Sequence, residues 1–103
     1  MKILLICSAG MSTSLLVNNM KKEAQNQNLD ALIEASGSEG LEDVIPKYDV
    51  ILVGPQVRHR LDRFKEIALN SDKPIDVIPP QIYGLVDGKK ALQFAQDLIK
   101  SKK

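Results

Sequence analysis

The single cysteine of the chain, Cys7, is followed by small residues and hydroxyls in the stretch CSAGMSTS. If this stretch joins a strand to a helix, its backbone N–H groups and the positive end of the helix dipole form a site for an anion. Gly10 allows the chain to turn or to approach a ligand closely. Because the same field favours a thiolate over a thiol, the pattern predicts that Cys7 is a nucleophile beside a bound dianion. Hydrogen-bond donors would come from Ser8, Ser12, Thr13 and Ser14.

Two structural interpretations compete with this prediction. Before its context is considered, a lone cysteine at a strand end is more often a small core hydrophobe than a nucleophile, by roughly two to one. Ser12 or Thr13 could be only a helix N-cap, which contributes about 1 kcal/mol to stability. The context favours the nucleophile, because Cys7 precedes small residues and hydroxyls and Met11 is the only bulky apolar residue close after it.

Four short apolar runs alternate with helical patterns, which is typical of βαβ units. The predicted strands span residues 3–6, 31–35, 50–53 and 75–78. The second helical segment, GLEDVIPK, is short and is predicted to end near Pro46. The other helices are indicated by apolar residues at helical spacing: Leu16, Val17, Met20 and Ala24; Val57, Leu61, Phe64 and Ala68; and Ala91, Leu92, Ala95, Leu98 and Ile99.

The polarity of the apolar runs predicts the order of the strands. ILLI and VILV are apolar throughout, as expected for central strands, whereas Glu34 and Asp76 interrupt the other two runs, as expected for edges. Right-handed crossovers then favour an open four-stranded parallel sheet of order 2-1-3-4, flanked by helices, in one domain over residues 1–103. Ligands bind beyond the carboxyl ends of such strands where the order reverses, and Cys7 is predicted to lie there.

The loop GPQVRHR after the third strand is predicted to meet the cysteine loop at this point, with its Gly-Pro pair shaping the opposite wall. Gln56 is a candidate donor to phosphate. Arg58, with His59 or Arg60 beside it, is a candidate contact for acidic groups or phosphate of a partner protein. The competing interpretations are ordinary loop residues and a solvated polar face. Tyr83 either closes the fourth strand end over the site or packs on prolines.

The last helix is predicted to start at Asp87 and Gly88, where the aspartate caps it and the glycine permits the turn.

The composition of the chain argues against several classes of function. Lys and Arg number 14 against 13 acidic residues, so the net charge of +1 offers no bulk field for nucleic acid or anionic lipid. No segment has the length and apolarity of a signal sequence or membrane span, which predicts a cytoplasmic protein. Neither a metal nor a cofactor is expected, since one Cys and one His make no zinc site and no nucleotide-binding glycine motif is present. A monomer is expected because no apolar stripe is evident.

A cysteine in an anion site after the first strand is similar to the loop of the low-molecular-weight tyrosine phosphatases, C-x5-R. The sixth residue after Cys7 is Thr13, so the arginine that would clamp the transferring phosphoryl group is missing. The Asp-Pro pair of the general acid is missing as well, because Lys73 interrupts the nearest match, SDKP. These residues favour a carrier that holds a cysteinyl phosphate without hydrolysing it. A cysteine phosphatase and a noncatalytic, flavodoxin-like anion-binding module are the alternatives.

Three segments together resemble the cytoplasmic IIB component of the phosphoenolpyruvate-dependent sugar phosphotransferase system (PTS), of the lactose/cellobiose/chitobiose type: CSAGMSTSLLV, VILVGPQV and YGLVDG. The resemblance covers essentially the whole chain. It implies that Cys7 accepts a phosphoryl group from a phosphohistidine of the IIA component and passes it to a sugar held by the membrane-embedded IIC component. The size of the domain is more similar to the cellobiose/chitobiose branch than to the lactose branch. The phosphate-holding loop implied by the resemblance comprises Ser8, Ala9, Gly10, Met11, Ser12 and Thr13.

Overall fold

The computed structural model describes residues 1–7, 11–37 and 39–101. Four strands form one parallel sheet in the order β2-β1-β3-β4, so the predicted order is confirmed. The strands are β1 (Lys2–Ile6), β2 (Leu32–Ser36), β3 (Val50–Val53) and β4 (Ile75–Val77). The α-helices of the described residues are α1 (Met11–Asn26), α2 (Leu41–Val44), α3 (Leu61–Asn70), α4 (Pro80–Gly84) and α5 (Gly88–Ser101), and 3-10 helices span Ile45–Lys47 and Pro55–Arg60.

The two central strands alternate their side chains between two hydrophobic cores. Ile3 and Leu5 of β1 pack in the core that α1 and α5 cover. Leu4 and Ile6 pack in the core on the opposite face, which α2 and α3 cover. Residues 3–6 of β1 and all of β3 are buried, whereas the acidic residues of β2 and β4 are exposed. The assignment of central and edge strands from their polarity is therefore confirmed.

Three boundaries differ from the predicted ones. The loop expected over residues 7–14 is shorter, because α1 already begins at Met11 and places Thr13 and Ser14 in its first turn. The basic run VRHR does not start α3 but belongs to the preceding 3-10 helix, since Val57 has φ −115° and ψ 18°, outside the helical region. The short helix α4 is additional, and a proline at its amino-terminal turn signals its start.

The start of α5 confirms one predicted role and corrects another. Asp87 caps the helix, because its Oδ1 accepts a hydrogen bond from the N–H of Lys90 at 3.1 Å. Gly88 does not have the positive φ that a turn would require. A Cβ at this position would instead lie 2.3 Å from the carbonyl carbon of Asn19. Glycine is needed here for the close approach of α5 to α1.

The helices α1, α3 and α4 end in the same hydrogen-bonded motif without glycine. In each case a residue with positive φ donates to the carbonyl three residues earlier, and the next N–H donates to the carbonyl five residues earlier. The residues in this conformation are Asn28 (φ 53°), Asp72 (φ 57°) and Val86 (φ 44°). Asn and Asp visit this region readily, but a β-branched valine is strained there by about 1–2 kcal/mol. The carbonyl of Val86 accepts a hydrogen bond from Asn19 Nδ2 at 2.8 Å, which ties the end of α4 to α1.

Tyr48 links the segment before β3 to the edge strand β2. Its hydroxyl donates to Glu34 Oε1 at 2.6 Å. This hydrogen bond, together with partial burial and the negative charge of Glu34, raises the pKa of Tyr48 from 10.0 to about 12. The folded state therefore holds the phenolic proton more tightly than the unfolded chain does.

The pKa of Tyr48 leads to a prediction about stability at high pH. Because the folded pKa is the higher one, the stabilisation is fully present below pH 10 and is lost as the pH rises toward about 12. We expect Tyr48→Phe to reduce the fall in the free energy of unfolding across this range, measured by urea denaturation at a series of pH values. Identical slopes for the wild type and the variant would contradict the prediction.

Candidate functional site

Cys7 lies directly after β1, between the ends of the two neighbouring strands. Its N–H donates to the carbonyl of Ser36 at the end of β2 at 3.1 Å, and the N–H of Gly54 after β3 donates to the carbonyl of Ile6 at 2.7 Å. The cysteine side chain is only 4% exposed. Since the strand order reverses between β1 and β3, Cys7 lies at the switch point where such sheets bind ligands.

Two buried hydroxyls extend from the sulfur of Cys7. Thr13 Oγ1, in the first turn of α1, lies 2.9 Å from Cys7 Sγ. Tyr83 Oη, on α4, lies 2.8 Å from the same threonine oxygen. The capping interpretation of Thr13 is wrong, because α1 already begins at Met11 and the threonine hydroxyl is engaged by Cys7 and Tyr83. Tyr83, which the sequence placed either over the site or on prolines, lies on α4 with its hydroxyl against Thr13.

The amino-terminal end of α1 gives the site an electropositive wall. The contact between Thr13 and the sulfur places the first turn of this 16-residue helix beside Cys7. The first N–H groups of a helix have no partner within it, and the helix dipole adds about half a positive charge there. This arrangement favours an anionic group, such as a phosphoryl group, beside the sulfur.

Gly54 forms the wall of the site on the β3 side. A Cβ at this position would lie 2.9 Å from Cys7 Cβ and 2.9 Å from Gln56 Oε1. The backbone conformation of Gly54 is extended, with φ −66° and ψ 144°, so the glycine is needed for space and not for a turn. Cys7 and Gln56 therefore both lie against the Cα of Gly54, and this closeness is compatible with the predicted role of Gln56 as a donor to phosphate.

The contact of Gly54 predicts a defect in the site from a small substitution. In Gly54→Ala the new methyl group must displace Cys7 or Gln56, and a shift of about 1 Å at a reacting atom lowers rates by about tenfold to a hundredfold. We expect a loss of this size in the phosphoryl transfer that the family resemblance implies, measured by intact mass spectrometry as the rate of phosphoryl mass gain. Gly37→Ala is the matched control, because no atom of the described residues lies within 4 Å of a Cβ at Gly37. Equal rates for the two variants would contradict this account of the wall.

The remaining predicted site residues fall into three groups. Ser8, Ala9 and Gly10 lie outside the described residues, as do the side chains of Met11 and Ser12. Ser14 is exposed on the first turn of α1. An exposed series follows β3 along the 3-10 helix: Gln56, Arg58, His59 and Arg60.

Sequence reasoning missed several features of the site. It did not pair Thr13 with Tyr83, and it did not identify the contact of Asn19 with Val86 that ties α4 to α1. It also did not identify the exposed apolar side chains of Leu15 on α1 (48% exposed) and Leu85 directly after α4 (74% exposed). A proline at the start of α4 was the available signal for that helix.

Membrane spans and metal-binding clusters are both absent from residues 1–7, 11–37 and 39–101. No helix in this part of the chain is long and apolar enough to cross a membrane. Within the same residues, no group of three or more His, Cys, Asp or Glu side chains is placed to hold a metal ion.

The family model and the similar proteins described below are all named for components of the PTS or of a phosphotransferase. Residues 2–94 match the family model for "PTS system, Lactose/Cellobiose specific IIB subunit". The oligo-beta-mannoside-specific EIIB component of the PTS system from Bacillus subtilis (strain 168) is 41% identical over 98 residues, which cover 95% of each chain. The solution structure of the cellobiose-specific phosphotransferase IIB component from Borrelia burgdorferi has a TM-score of 0.83 and 41% identity, covering 100% of this chain and 94% of that one. The PTS system lactose-specific EIICB component of Lactococcus lactis subsp. lactis is 29% identical over 96 residues, covering 91% of this chain and 17% of that protein.

Proposed function

The chain belongs to the lactose/cellobiose-specific IIB subunits of the PTS, which are phosphotransferases, and from this membership we propose that Cys7 carries the phosphoryl group. The observation that carries the proposal is the position of the sulfur at the switch point of the sheet, 2.9 Å from a hydroxyl in the first turn of α1. The donor is a phosphohistidine of a IIA component. The acceptor is a sugar held by the membrane component IIC, and the carrier works in the cytoplasm between them.

The carrier reaction consists of two displacements at phosphorus. In the first, the thiolate of Cys7 attacks the phosphohistidine; the S–P bond forms, the P–N bond breaks and its electron pair returns to the imidazole. In the second, a sugar hydroxyl attacks the same phosphorus and gives its proton to a base, while the S–P bond breaks and its electron pair returns to the sulfur. The transition state of such transfers is loose, so positioning and electrostatic stabilisation supply most of the catalysis.

Two features support a carrier over a hydrolase. Position 13 holds a threonine where the C-x5-R phosphatase loop has its arginine, and its hydroxyl lies at the sulfur. The cysteine side chain is 4% exposed, which limits access of water to the S–P bond. We infer a long-lived phosphocysteine whose phosphoryl oxygens are held by residues 8–14, with Gln56 as a further donor.

The surroundings of the site suit transient docking of partner proteins. Arg58 and His59 are exposed on the 3-10 helix that follows β3, at the edge of the sheet where Cys7 lies. Leu15 and Leu85 are exposed on or next to the helices that supply Thr13 and Tyr83. We assign these residues to the rim that a IIA or IIC component contacts while this chain remains a monomer. A relative whose name joins IIC and IIB in one chain supports IIC as a partner.

For the sugar, we propose a β-linked disaccharide of the cellobiose/chitobiose kind. The oligo-beta-mannoside-specific and cellobiose-specific relatives are each 41% identical to this chain. Because overall identity does not separate these two specificities, we attribute the choice of sugar to the IIC component that holds it.

The proposal is tested by intact mass spectrometry. The chain is incubated with phosphoenolpyruvate, the general phosphocarrier proteins of the PTS and IIA components of cellobiose and lactose systems. We expect a gain of one phosphoryl mass that depends on IIA, maps to Cys7, persists after the donors are removed and is lost when IIC-containing membranes and sugar are added. Absence of the gain beside fully phosphorylated IIA components would contradict the proposal.

A further inference from the structure

We propose that Tyr83 is a positioning residue that acts through Thr13, directing the threonine hydroxyl proton onto the sulfur of Cys7 and so stabilising the thiolate. The three groups form a series among the described residues: Cys7 Sγ lies 2.9 Å from Thr13 Oγ1, and Thr13 Oγ1 lies 2.8 Å from Tyr83 Oη. All three side chains are at least nine-tenths buried. The direction in which the hydroxyl protons point determines whether the sulfur donates or accepts the hydrogen bond with Thr13.

Proton accounting favours one direction. A hydroxyl has a single proton to donate. If Tyr83 donates to Thr13, then Thr13 donates to the sulfur, and both hydroxyl protons have an acceptor. A thiolate leaves no further proton, and in a thiol only the S–H, which is a weak donor, lacks an acceptor in the series. In the reverse direction the thiol donates to Thr13 and Thr13 donates to Tyr83, which leaves the buried phenolic proton without an acceptor in the series. A buried donor without an acceptor is costly, so the forward direction is preferred, and it requires the sulfur to accept.

The forward direction is also the one that a thiolate strengthens. A hydrogen bond to an ionised acceptor is shorter and roughly twice as strong as one between neutral groups. Polarisation along the series adds to it, because each donated proton makes the next hydroxyl a better donor. Tyr83 therefore influences the charge on Cys7 through Thr13, whose hydroxyl lies between the tyrosine hydroxyl and the sulfur.

Two hydrogen bonds among the described residues join α1 to α4 and the turn after it, and they hold the tyrosine hydroxyl in position. One is the Thr13–Tyr83 bond itself, and the other is the bond from Asn19 Nδ2 to the carbonyl of Val86 at 2.8 Å. α4 has only five residues, too few to be stable alone. The turn that follows it places Val86 at φ 44°, a strained conformation for valine that persists only where the surroundings hold it.

The consequence for phosphoryl transfer rests on the proposed function. The thiolate is the nucleophile when the phosphoryl group arrives and the leaving group when the S–P bond breaks and its electron pair returns to the sulfur. A correctly directed Thr13 proton stabilises the developing charge in the second step and the attacking anion in the first. Loss of the tyrosine hydroxyl should slow the second step more strongly, because charge develops on the sulfur there.

The thiolate itself provides the test. Its ultraviolet absorbance is measured against pH, and the Cys7→Ser protein of the same background is subtracted, which removes the signal of the tyrosines. We expect the midpoint of this absorbance titration to move to higher pH in Tyr83→Phe, so that about threefold less thiolate is present at any pH below the midpoint. In Thr13→Val the thiolate should be about tenfold less. Thr13→Ser, which keeps the hydroxyl, should restore the wild-type midpoint. Tyr48→Phe is the matched control, because the other tyrosine of the chain bonds to Glu34 and should leave the midpoint unchanged.

A double variant distinguishes a relay from a merely structural effect. If Tyr83 acts through Thr13, adding Tyr83→Phe to Thr13→Val should leave the midpoint of the single Thr13→Val variant unchanged. A further shift in the double variant, or an unchanged midpoint in Tyr83→Phe alone, would overturn the proposal. Tyr83→Phe keeps the ring and its packing, so the single variant remains informative even if Thr13→Val fails to fold.

These measurements need no IIA component, so they separate the two proposals. A shifted midpoint in a chain that IIA does not phosphorylate would uphold the relay and contradict the proposed function. Phosphorylation of a chain whose titration midpoint is unchanged in Tyr83→Phe would uphold the proposed function and contradict the relay. When both hold, release of the phosphoryl group to sugar should be slower in Tyr83→Phe than in Tyr48→Phe.

Discussion

Cys7→Ser is expected to abolish phosphoryl transfer through this protein while leaving its fold intact. The serine hydroxyl is smaller than the thiol, but a small shift lets it keep the hydrogen bond to Thr13, so the buried polar contact is preserved. A hydroxyl does not ionise near neutral pH, and no base that could activate it is present among Cys7, Thr13 and Tyr83. We expect the rate of mass gain with phosphorylated IIA to fall by at least about three orders of magnitude.

The control for this variant is its stability. Urea denaturation should give a free energy of unfolding within about 1 kcal/mol of the wild type, because a hydrogen-bonded hydroxyl replaces a hydrogen-bonded thiol at the cost of only a small loss of buried volume. A stable Cys7→Ser protein that still gains one phosphoryl mass at the wild-type rate would place the phosphorylated residue elsewhere. A variant that gains no mass because it is unfolded would be recognised by its missing denaturation transition.

Gly88→Ala should destabilise the protein more than Gly54→Ala or Gly37→Ala. The new Cβ would lie 2.3 Å from the carbonyl carbon and 2.5 Å from the carbonyl oxygen of Asn19, and 2.6 Å from the backbone nitrogen of Met20. These are backbone atoms of α1, so no side-chain rotation relieves the contact. The helices must separate, which loosens the core that Met20 shares with residues 91 and 92 of α5. We expect a loss of about 2–4 kcal/mol, at or slightly above the usual cost of overpacking.

Gly84→Ala is the matched control for the helix separation. It also places an alanine in a helix, but within the part of the chain that the structure describes no atom lies within 4 Å of a Cβ at Gly84. Alanine is favoured over glycine in a helix by up to about 1 kcal/mol, so this variant should be neutral or slightly more stable. Equal free energies of unfolding for the two variants, measured in urea, would show that α5 does not depend on its close approach to α1. Because α1 carries Thr13, Gly88→Ala should also weaken phosphoryl transfer.

Individual elements show how far sequence reasoning reached. The apolar runs and the exposed charges of Glu34 and Asp76 predicted the strands, their order and the position of Cys7 at the switch point, because each of these follows from the burial of single residues. The motif around Cys7 and two later segments indicated the family that the comparisons identify. The five residues of α4 escaped prediction, because so short a segment shows no helical periodicity.

The sequence alone thus determined the strands, their order, the family and the cysteine at the end of β1. Only the tertiary structure decided what surrounds the sulfur. The bond between Thr13 and Tyr83 joins residues 70 positions apart, and the need for glycine at positions 54 and 88 arises from neighbouring atoms of other elements. The physical reason is that polarity and periodicity are properties of a residue and its neighbours along the chain. A hydrogen bond or a steric limit of a few tenths of an ångström depends on how separate elements pack.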